Sequence, residues 1–341
     1  MSAECQSADT PCSPDDSDAP DRPKAPATIN TEWLSDCSGC HITIVDLHEK
    51  ILSILDSVTL QRCPVLTDIK DYPPATIGLV SGAIRNVHDR QAAIEMRKSC
   101  DHIIAWGSCA VFGGPAGAGN LHTSFEIADA VYLHNKTTVS APTPTREVSP
   151  LESTVSPIDT VIDVDLYLPG CPPHPAFVLD ALLSLLEGRP PKATQESVCG
   201  HCRRQMRKTD VTAIRSGSDG VADAQNCFLS QGYLCMGSVT IDRCLAPCPQ
   251  NGVPCTGCAG ATMQVLTEPN RDIRTEIADR MSRLTHIPYA DIVKEIERTA
   301  KSHYSYTMAT KMIGDKPTFL IKRWIGEADQ DYEGRRYDCK H

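Results

Sequence analysis

Residues 76–109, TIGLVSGAIRNVHDRQAAIEMRKSCDHIIAWGSC, hold the reading on which the fold turns. TIGLVSGAI (76–84) is an apolar, β-rich run. DRQAAIEMRKSC (89–100) spaces its apolar residues as a helix does, and HIIAWG (102–107) reads as a buried strand that ends on glycine, serine and cysteine. The alternation extends both ways. Upstream, ATINTEWL (27–34) reads as a strand and ITIVDLHEKILSILDSV (42–58) as a helix, with DCSGC between them. Downstream, VIDVDLYL (161–168) reads as a strand and AFVLDALLSLLEG (176–188) as a helix, with PGCPPHP between them. Residues 136–158, rich in Thr, Ser and Pro, read as a surface excursion. Strands alternating with helices predict a parallel α/β sheet, whose functional loops lie beyond the carboxyl ends of the strands. The three loops named here each follow a strand and each carry cysteine.

From about residue 191 the pattern changes to short, cysteine-rich, loop-like sequence, expected to be held together by something other than a large apolar core. The expected division is an extension at 1–26, an α/β domain at 27–190, a smaller irregular domain of helices and loops at 191–325, and a tail at 326–341. Residues 1–30 contain no apolar stretch of the kind an export signal needs, and no later segment has the roughly 18 apolar residues of a membrane span. A cytoplasmic location is therefore expected. With 33 basic against 43 acidic residues and a net charge of −10, the chain as a whole is not built for nucleic acid.

Seventeen cysteines in 341 residues are too many for a chain of this size to need as disulfide staples, and they point to ligand chemistry. Twelve fall into three sets of four. The first is Cys37 and Cys40 in C-S-G-C, Cys109 in G-S-C-A and Cys171 in P-G-C-P-P. The second is Cys199 and Cys202 in C-G-H-C, with Cys227 and Cys235. The third is Cys244, Cys248, Cys255 and Cys258. Four thiolates suit a 4Fe-4S cluster, and Gly39, Gly107 and Gly170 are placed to let backbone approach the sulfides. Paired C-x2-C spacing is also zinc spacing, so a zinc-stabilised scaffold remains a second reading of the last two sets.

E-W-L-S-D-C-S-G-C-H, G-S-C-A-V-F-G-G, L-P-G-C-P-P-H-P and G-V-P-C-T-G-C, in that order between residues 32 and 258, resemble the small subunit of nickel-iron hydrogenases. The resemblance implies a flavodoxin-like first domain with a proximal cluster on Cys37, Cys40, Cys109 and Cys171. It also implies a distal cluster on Cys199, Cys202, Cys227 and Cys235, and a medial cluster on Cys244, Cys248, Cys255 and Cys258. Three 4Fe-4S clusters would then relay electrons from a large subunit that binds nickel and iron. Cys199 stands where many respiratory members have a histidine ligand, and the third set has four cysteines where those members have three. Both departures make the chain similar to the cytoplasmic, methyl-viologen-reducing type. That type has an iron-sulfur or flavin acceptor subunit and feeds heterodisulfide reductase. A single-cluster quinone-reductase subunit of the complex I kind shares the first domain but uses adjacent cysteines and lacks the other eight.

Among the remaining residues, Asp36 is a candidate helper of proton transfer or a carboxylate that binds loop amides. His41 and His174 are candidates to donate to cluster sulfides or to sit in a subunit interface, and His201 lies out of register for a ligand. Trp106 reads as core, as do the thiols of Cys63 and Cys100. Cys5, Cys12 and Cys339 read as incidental. G-G-P-A-G-A-G-N (113–120) lacks the Lys-Ser/Thr ending of a phosphate loop and reads as a flexible turn, and residues 271–300 as an exposed packing helix.

Overall fold

In a computed structural model the chain is described over residues 26–64, 66–192 and 196–310. Apart from residue 26, the expected extension and tail lie outside the described residues, as do Cys5, Cys12 and Cys339. The chain begins with β1 (Ala27–Trp33), α1 (Gly39–Val45), α2 (Lys50–Leu55), β2 (Val58–Arg62), β3 (Ala75–Ser81), β4 (Ile84–Asn86) and α3 (Val87–Ser99). There follow β5 (Cys100–Trp106), α4 (Ser108–Phe112), α5 (Ser124–Ala128), β6 (Leu151–Ser156), β7 (Leu166–Leu168) and α6 (Pro175–Glu187). Five strands form one parallel sheet in the order β2-β1-β3-β5-β7. Counted along the chain, that is the flavodoxin-like order, with the reversal between β1 and β3.

Alternation along the central strands assigns their two faces. Ile77 and Leu79 of β3 join Ile104 and Trp106 of β5 on the face covered by Leu47, Ile54, Val178 and Leu182. Val80, Ile103 and Ala105 point to the other face, against Ala92, Ala93 and Met96 of α3. Gly78 admits that helix, since a Cβ there would lie 2.6 Å from Ile103 Cδ1 and 3.1 Å from Met96 Cε. The Asn86 side chain accepts from Asp89 N at 3.0 Å and starts α3 with a capping box.

Three local expectations change. The helix expected over 42–58 is two helices, with His48 at φ 51° between them, and its last residue, Val58, opens β2. The expected excursion at 136–158 contains β6, which pairs antiparallel with β4. Of the strand expected at 161–168, only Leu166–Leu168 joins the sheet, because Asp165 uses its carboxylate to accept from Ile103 N (2.7 Å) and Arg97 (2.6 Å) at the sheet edge.

The later half contains α7 (Pro247–Gln250), α8 (Met263–Thr267), α9 (Ile273–Leu284), α10 (Tyr289–Arg298) and α11 (Ala300–His303). The single exposed helix expected at 271–300 is thus two helices, divided before Pro288, whose ring suits the entry to a new helix and not the interior of an old one. Their inner faces, Ile277, Met281, Ile292 and Ile296, are fully buried. Nor does the later half lack a large apolar core. The cluster around α3 continues through Phe112 into Phe228, Met236 and Met281. Phe112 seats on Gly260, where a Cβ would lie 2.0 Å from its ring. Among the described residues no helix is long and apolar enough to cross a membrane.

β1 carries a buried charge. Glu32 is 5% exposed and is answered by Arg62 at 2.8 Å and by Tyr72 Oη at 2.7 Å, while Arg62 stacks over the Tyr72 ring and donates to Thr31 O at 2.9 Å. Removing one partner of such a pair strands the other charge in a medium that cannot solvate it. Arg62→Met should lower the unfolding free energy by about 3–5 kcal/mol, read from the urea midpoint. The double variant Glu32→Gln/Arg62→Met should regain most of that loss. Equal midpoints for the single and double variants would show that the pair is not what holds this strand.

Candidate metal centres

The first set of cysteines gathers at the carboxyl end of the sheet. Leu34 N donates to Ser81 O at 2.9 Å, ending β1 beside β3, and Ser38 takes up a left-handed φ of 64°, which turns the chain into α1 with Cys40 in its first turn. Cys109 lies in the first turn of α4, and Cys171 in the turn between β7 and α6. The last two loops are tied to each other. Gly107 N donates to Leu168 O (2.9 Å), Ser108 N to Gly170 O (2.8 Å), and Gly170 N to Ser108 Oγ (3.0 Å).

The four thiols sense one another. Burial pushes Cys40 up, and the charges of Asp36, Cys109, Cys171 and Cys37 add to it. Cys109 is pushed up to about 12 by burial, then by Cys171, Asp36 and Cys37. Cys171 is raised by burial, Cys37 and Asp36. Two glycines line the thiols closely. A Cβ on Gly107 would lie 2.3 Å from Cys40 Sγ, and one on Gly114 would lie 2.5 Å from Cys109 Sγ. Gly114 was hidden in a glycine-rich run that is not a loose turn but a 3-10 helix from Pro115 to Leu121. Gly170 has a different reason for being glycine: at φ 147° its Cβ would strike the backbone of Pro173 at 2.4 Å.

The second and third sets adjoin. Cys199 is pushed up to about 11 by burial, with Cys227 and Cys202 raising it further. Cys235, 8% exposed, is pushed up to about 12 by burial, against the N–H groups of Gly237 and Cys255, the latter donating to its sulfur at 3.3 Å. Gly237 fits between the two sets: its Cβ would lie 3.5 Å from Cys199 Sγ, 3.6 Å from Cys235 Sγ and 3.7 Å from Cys255 Cβ. Burial likewise raises Cys244, Cys255 and Cys258, the last to about 12, with Cys244, Cys171 and Cys248 adding to the rise. The Cys171 N–H donates to Cys258, and Ser108 Oγ donates to Cys258 O at 2.5 Å. In space the third set therefore lies between the first and the second.

The donor sets are all thiol, ranging from buried (Cys40, Cys235, Cys255) to exposed (Cys37, Cys248), with glycines close to several of the sulfurs, which is the chemistry an iron-sulfur cluster satisfies. Among the described residues, no three Cys, His, Asp or Glu side chains close on a point that a single metal ion could occupy.

His41 is held within the sheet, and His174 uses one ring nitrogen to cap a helix. His41 is 7% exposed, with Nε2 3.2 Å from Thr31 Oγ1, Nδ1 3.4 Å from Ser81 Oγ and its ring 4.9 Å from Trp106, and burial pulls its pKa down. Both nitrogens are spent inside the sheet. His174 caps α6, accepting from Ala176 N at 3.2 Å. Asp36 accepts from Ser38 N at 2.7 Å, and its Oδ2 is buried without a partner. Trp106, Cys63 and Cys100 are core residues. His201 turns to Asp242, a buried carboxylate that also accepts from Leu245 N at 3.1 Å and so ties the second set to the third. Asp242 escaped the sequence reading. Its signal is the same acid-before-cysteine pattern as Asp36, a side chain accepting an amide two or three residues on.

A family profile described as NADH ubiquinone oxidoreductase, 20 Kd subunit, matches residues 37–185, the stretch with the first cysteine set. Relatives match more of the chain. A subunit of the vhu F420-non-reducing hydrogenase of Methanocaldococcus jannaschii is 40% identical over 234 residues, 68% of this chain and 81% of that protein. Its counterpart from Methanococcus voltae is 38% identical over 236 residues, 69% and 82% of the two chains. A subunit of the F420-non-reducing hydrogenase of Methanothermobacter thermautotrophicus is 31% identical over 293 residues, 84% and 95%. A crystal structure of a NAD+-reducing [NiFe]-hydrogenase overlies 50% of the chain and 96% of its own at 30% identity, with a TM-score of 0.48. On the strength of the relatives, the chain belongs to the family of nickel-iron hydrogenase small subunits, of the type found in F420-non-reducing hydrogenases, and so to an oxidoreductase that acts on hydrogen.

Proposed function

We propose that the chain carries three 4Fe-4S clusters and relays electrons from the first cysteine set, through the third, to the second. Cys37, Cys40, Cys109 and Cys171 are the proposed proximal ligands. Cys244, Cys248, Cys255 and Cys258 are the proposed medial ligands, and Cys199, Cys202, Cys227 and Cys235 the distal ones. On this reading the chain has two functional parts, joined near residue 190. The observation that carries it is the linear succession of the sets, with Cys171 against Cys258 and Cys255 against Cys235. Bound at these sites, iron-sulfur clusters supply reversible one-electron chemistry.

The protein's own task is to hold each sulfur in place and to control its surroundings. Gly107 and Gly114 keep side chains away from Cys40 and Cys109. The Cys255 and Cys171 amides donate to sulfurs of the neighbouring sets. A single-cluster quinone-reductase subunit would leave the eight cysteines of the last two sets, Cys235 and Cys255 of them buried, without a task. A zinc ribbon needs sulfurs about 2.3 Å from one ion, a convergence not found among the described residues.

A hydrogenase small subunit works with a large subunit, and we place that partner over the first set. Trp33, Ile42, Val45, Leu55 and Leu66, which are 40%, 54%, 64%, 48% and 68% exposed, line one apolar groove that reaches Ser38, the residue after Cys37. That apolar surface adjoins the thiols which must receive the electrons. The acceptor beyond the second set is proposed to be an iron-sulfur or flavin subunit, in the setting of a cytoplasmic complex linked to heterodisulfide reduction.

Two measurements test the relay. The complex should contain about twelve irons on this chain. Cys109→Ser or Cys171→Ser should remove or convert one cluster and abolish hydrogen-dependent reduction of the second set, read by electron paramagnetic resonance. Unchanged reduction in both variants overturns the assignment of the first set.

Proton linkage provides the other. Burial raises Cys109, Cys235 and Cys258 above their ordinary value of 9.0, to about 12. Between those values the folded chain binds more protons than the unfolded chain, so unfolding free energy falls as pH rises. The cluster-free chain should keep its stability below about pH 8.5 and lose it progressively above pH 9. In the loaded chain the thiolates are already deprotonated and held by iron, so this dependence should vanish. Urea midpoints at pH 7 and pH 10 for both forms decide it.

A further inference from the structure

The surface outside the second cysteine set has a charge opposite to that of the chain. Cys202 is followed by R-R-Q-M-R-K, four cations in the six residues 203–208 with no acid, in a chain of net charge −10. Arg203, Met206, Arg207 and Lys208 are exposed, Met206 by 46%. The segment is anchored from below and is not a loose tail. Arg204 stacks 4.0 Å over the Phe228 ring and donates to Pro249 O (2.8 Å) and Asn226 O (3.0 Å), and backbone bonds join Gln205 N to Gln225 O and Cys227 N to Gln205 O, each 2.8 Å.

Arg280 of α9 completes the rim, its guanidinium 3.9 Å from Met206 Sδ. The charge of Arg280 is felt at both Cys199 and Cys227, which it lowers against the effect of burial. Of the acids at the edge, Asp279 is paired with Arg283 at 2.7 Å, and Asp210 lies 3.4 Å from His286.

Resting on the relay reading above, we propose that this basic collar with Met206 at its centre is the exit face of the subunit, and that it docks a protein electron carrier presenting an acidic surface. A positive patch around a redox site raises the encounter rate of an acidic partner and fixes its orientation, while an exposed thioether gives the contact an adaptable apolar centre. The location favours a redox protein over a nucleic acid. The patch is confined to the rim of the second set, whereas a polyanion tracks a longer basic surface and the rest of this chain is acidic.

The test uses the purified hydrogenase complex with hydrogen as donor and two acceptors: an acidic ferredoxin, and menadione, a small neutral quinone. The variant is Arg203→Glu/Arg207→Glu/Lys208→Glu, which spares Arg204, Arg280 and every cysteine, and the control is Arg203→Lys/Arg207→Lys. The unaltered complex should reduce ferredoxin at a rate that falls steeply with ionic strength. Charge reversal should lower that rate by about ten-fold or more and flatten its salt dependence. Menadione reduction should not change, and the lysine control should keep both rates. A ferredoxin rate insensitive to salt and to charge reversal overturns the proposal. So does an equal loss with both acceptors, which would make these residues part of the scaffold of the second set, or a collar that retains duplex DNA as tightly as ferredoxin. Failure of the unaltered, iron-loaded complex to reduce menadione is a separate result. It sinks the relay reading, and this inference with it.

Discussion

Burial of ligand thiols next to one another is the constraint around which the molecule is organised. In each set, burial and neighbouring sulfurs both oppose ionisation, and at the first set Asp36 adds a further negative charge. Among the described residues no basic side chain offsets that repulsion at Cys40, Cys109 or Cys171, so the chain itself does not neutralise them. A cationic iron-sulfide core does so, which makes cluster binding and the stability of the loaded fold one free energy. The parallel sheet is well suited to hold such a set, because its carboxyl-end loops converge while its backbone hydrogen bonds keep their anchor points rigid.

Positioning three sets in line requires the two halves of the chain to be packed as a single object. The hydrophobic cluster on the α3 face continues into the later half without a gap, and Phe112, three residues beyond Cys109, is seated directly on Gly260, two beyond Cys258. Ser108 fixes the same junction with hydrogen bonds to both Gly170 and Cys258. Close-packed side chains leave little freedom for the first and third sets to drift apart. The contact that stabilises the fold is therefore the one that sets the spacing of the proposed relay.

The two ends of that line differ in chemistry. A groove that reaches Ser38, next to Cys37, is apolar, lined by the exposed Trp33, Ile42, Val45, Leu55 and Leu66. Beside the second it is basic and anchored on Phe228 through Arg204. An apolar surface suits a permanent subunit contact, and a charged one suits a partner that is steered in and released or exchanged.

The sequence alone determined the parallel α/β class, the three loops beyond strand ends and the grouping of twelve cysteines into three sets, because period-two and period-3.6 patterns and cysteine spacing are local properties. It misread elements whose pairing is remote: β2, concealed at the end of an apparent helix, β6, concealed in a Ser/Thr/Pro-rich stretch, and the break before Pro288. The setting of His41 was equally illegible, since a histidine next to a cysteine motif reveals nothing of the Thr31 and Ser81 atoms that claim its nitrogens. Only the tertiary structure decided that Gly114 lines Cys109 and that Asp242 ties His201 to the loop of Cys244. Each of these depends on residues far apart along the chain being brought within a few ångströms, and no pattern along a single stretch of sequence encodes that distance.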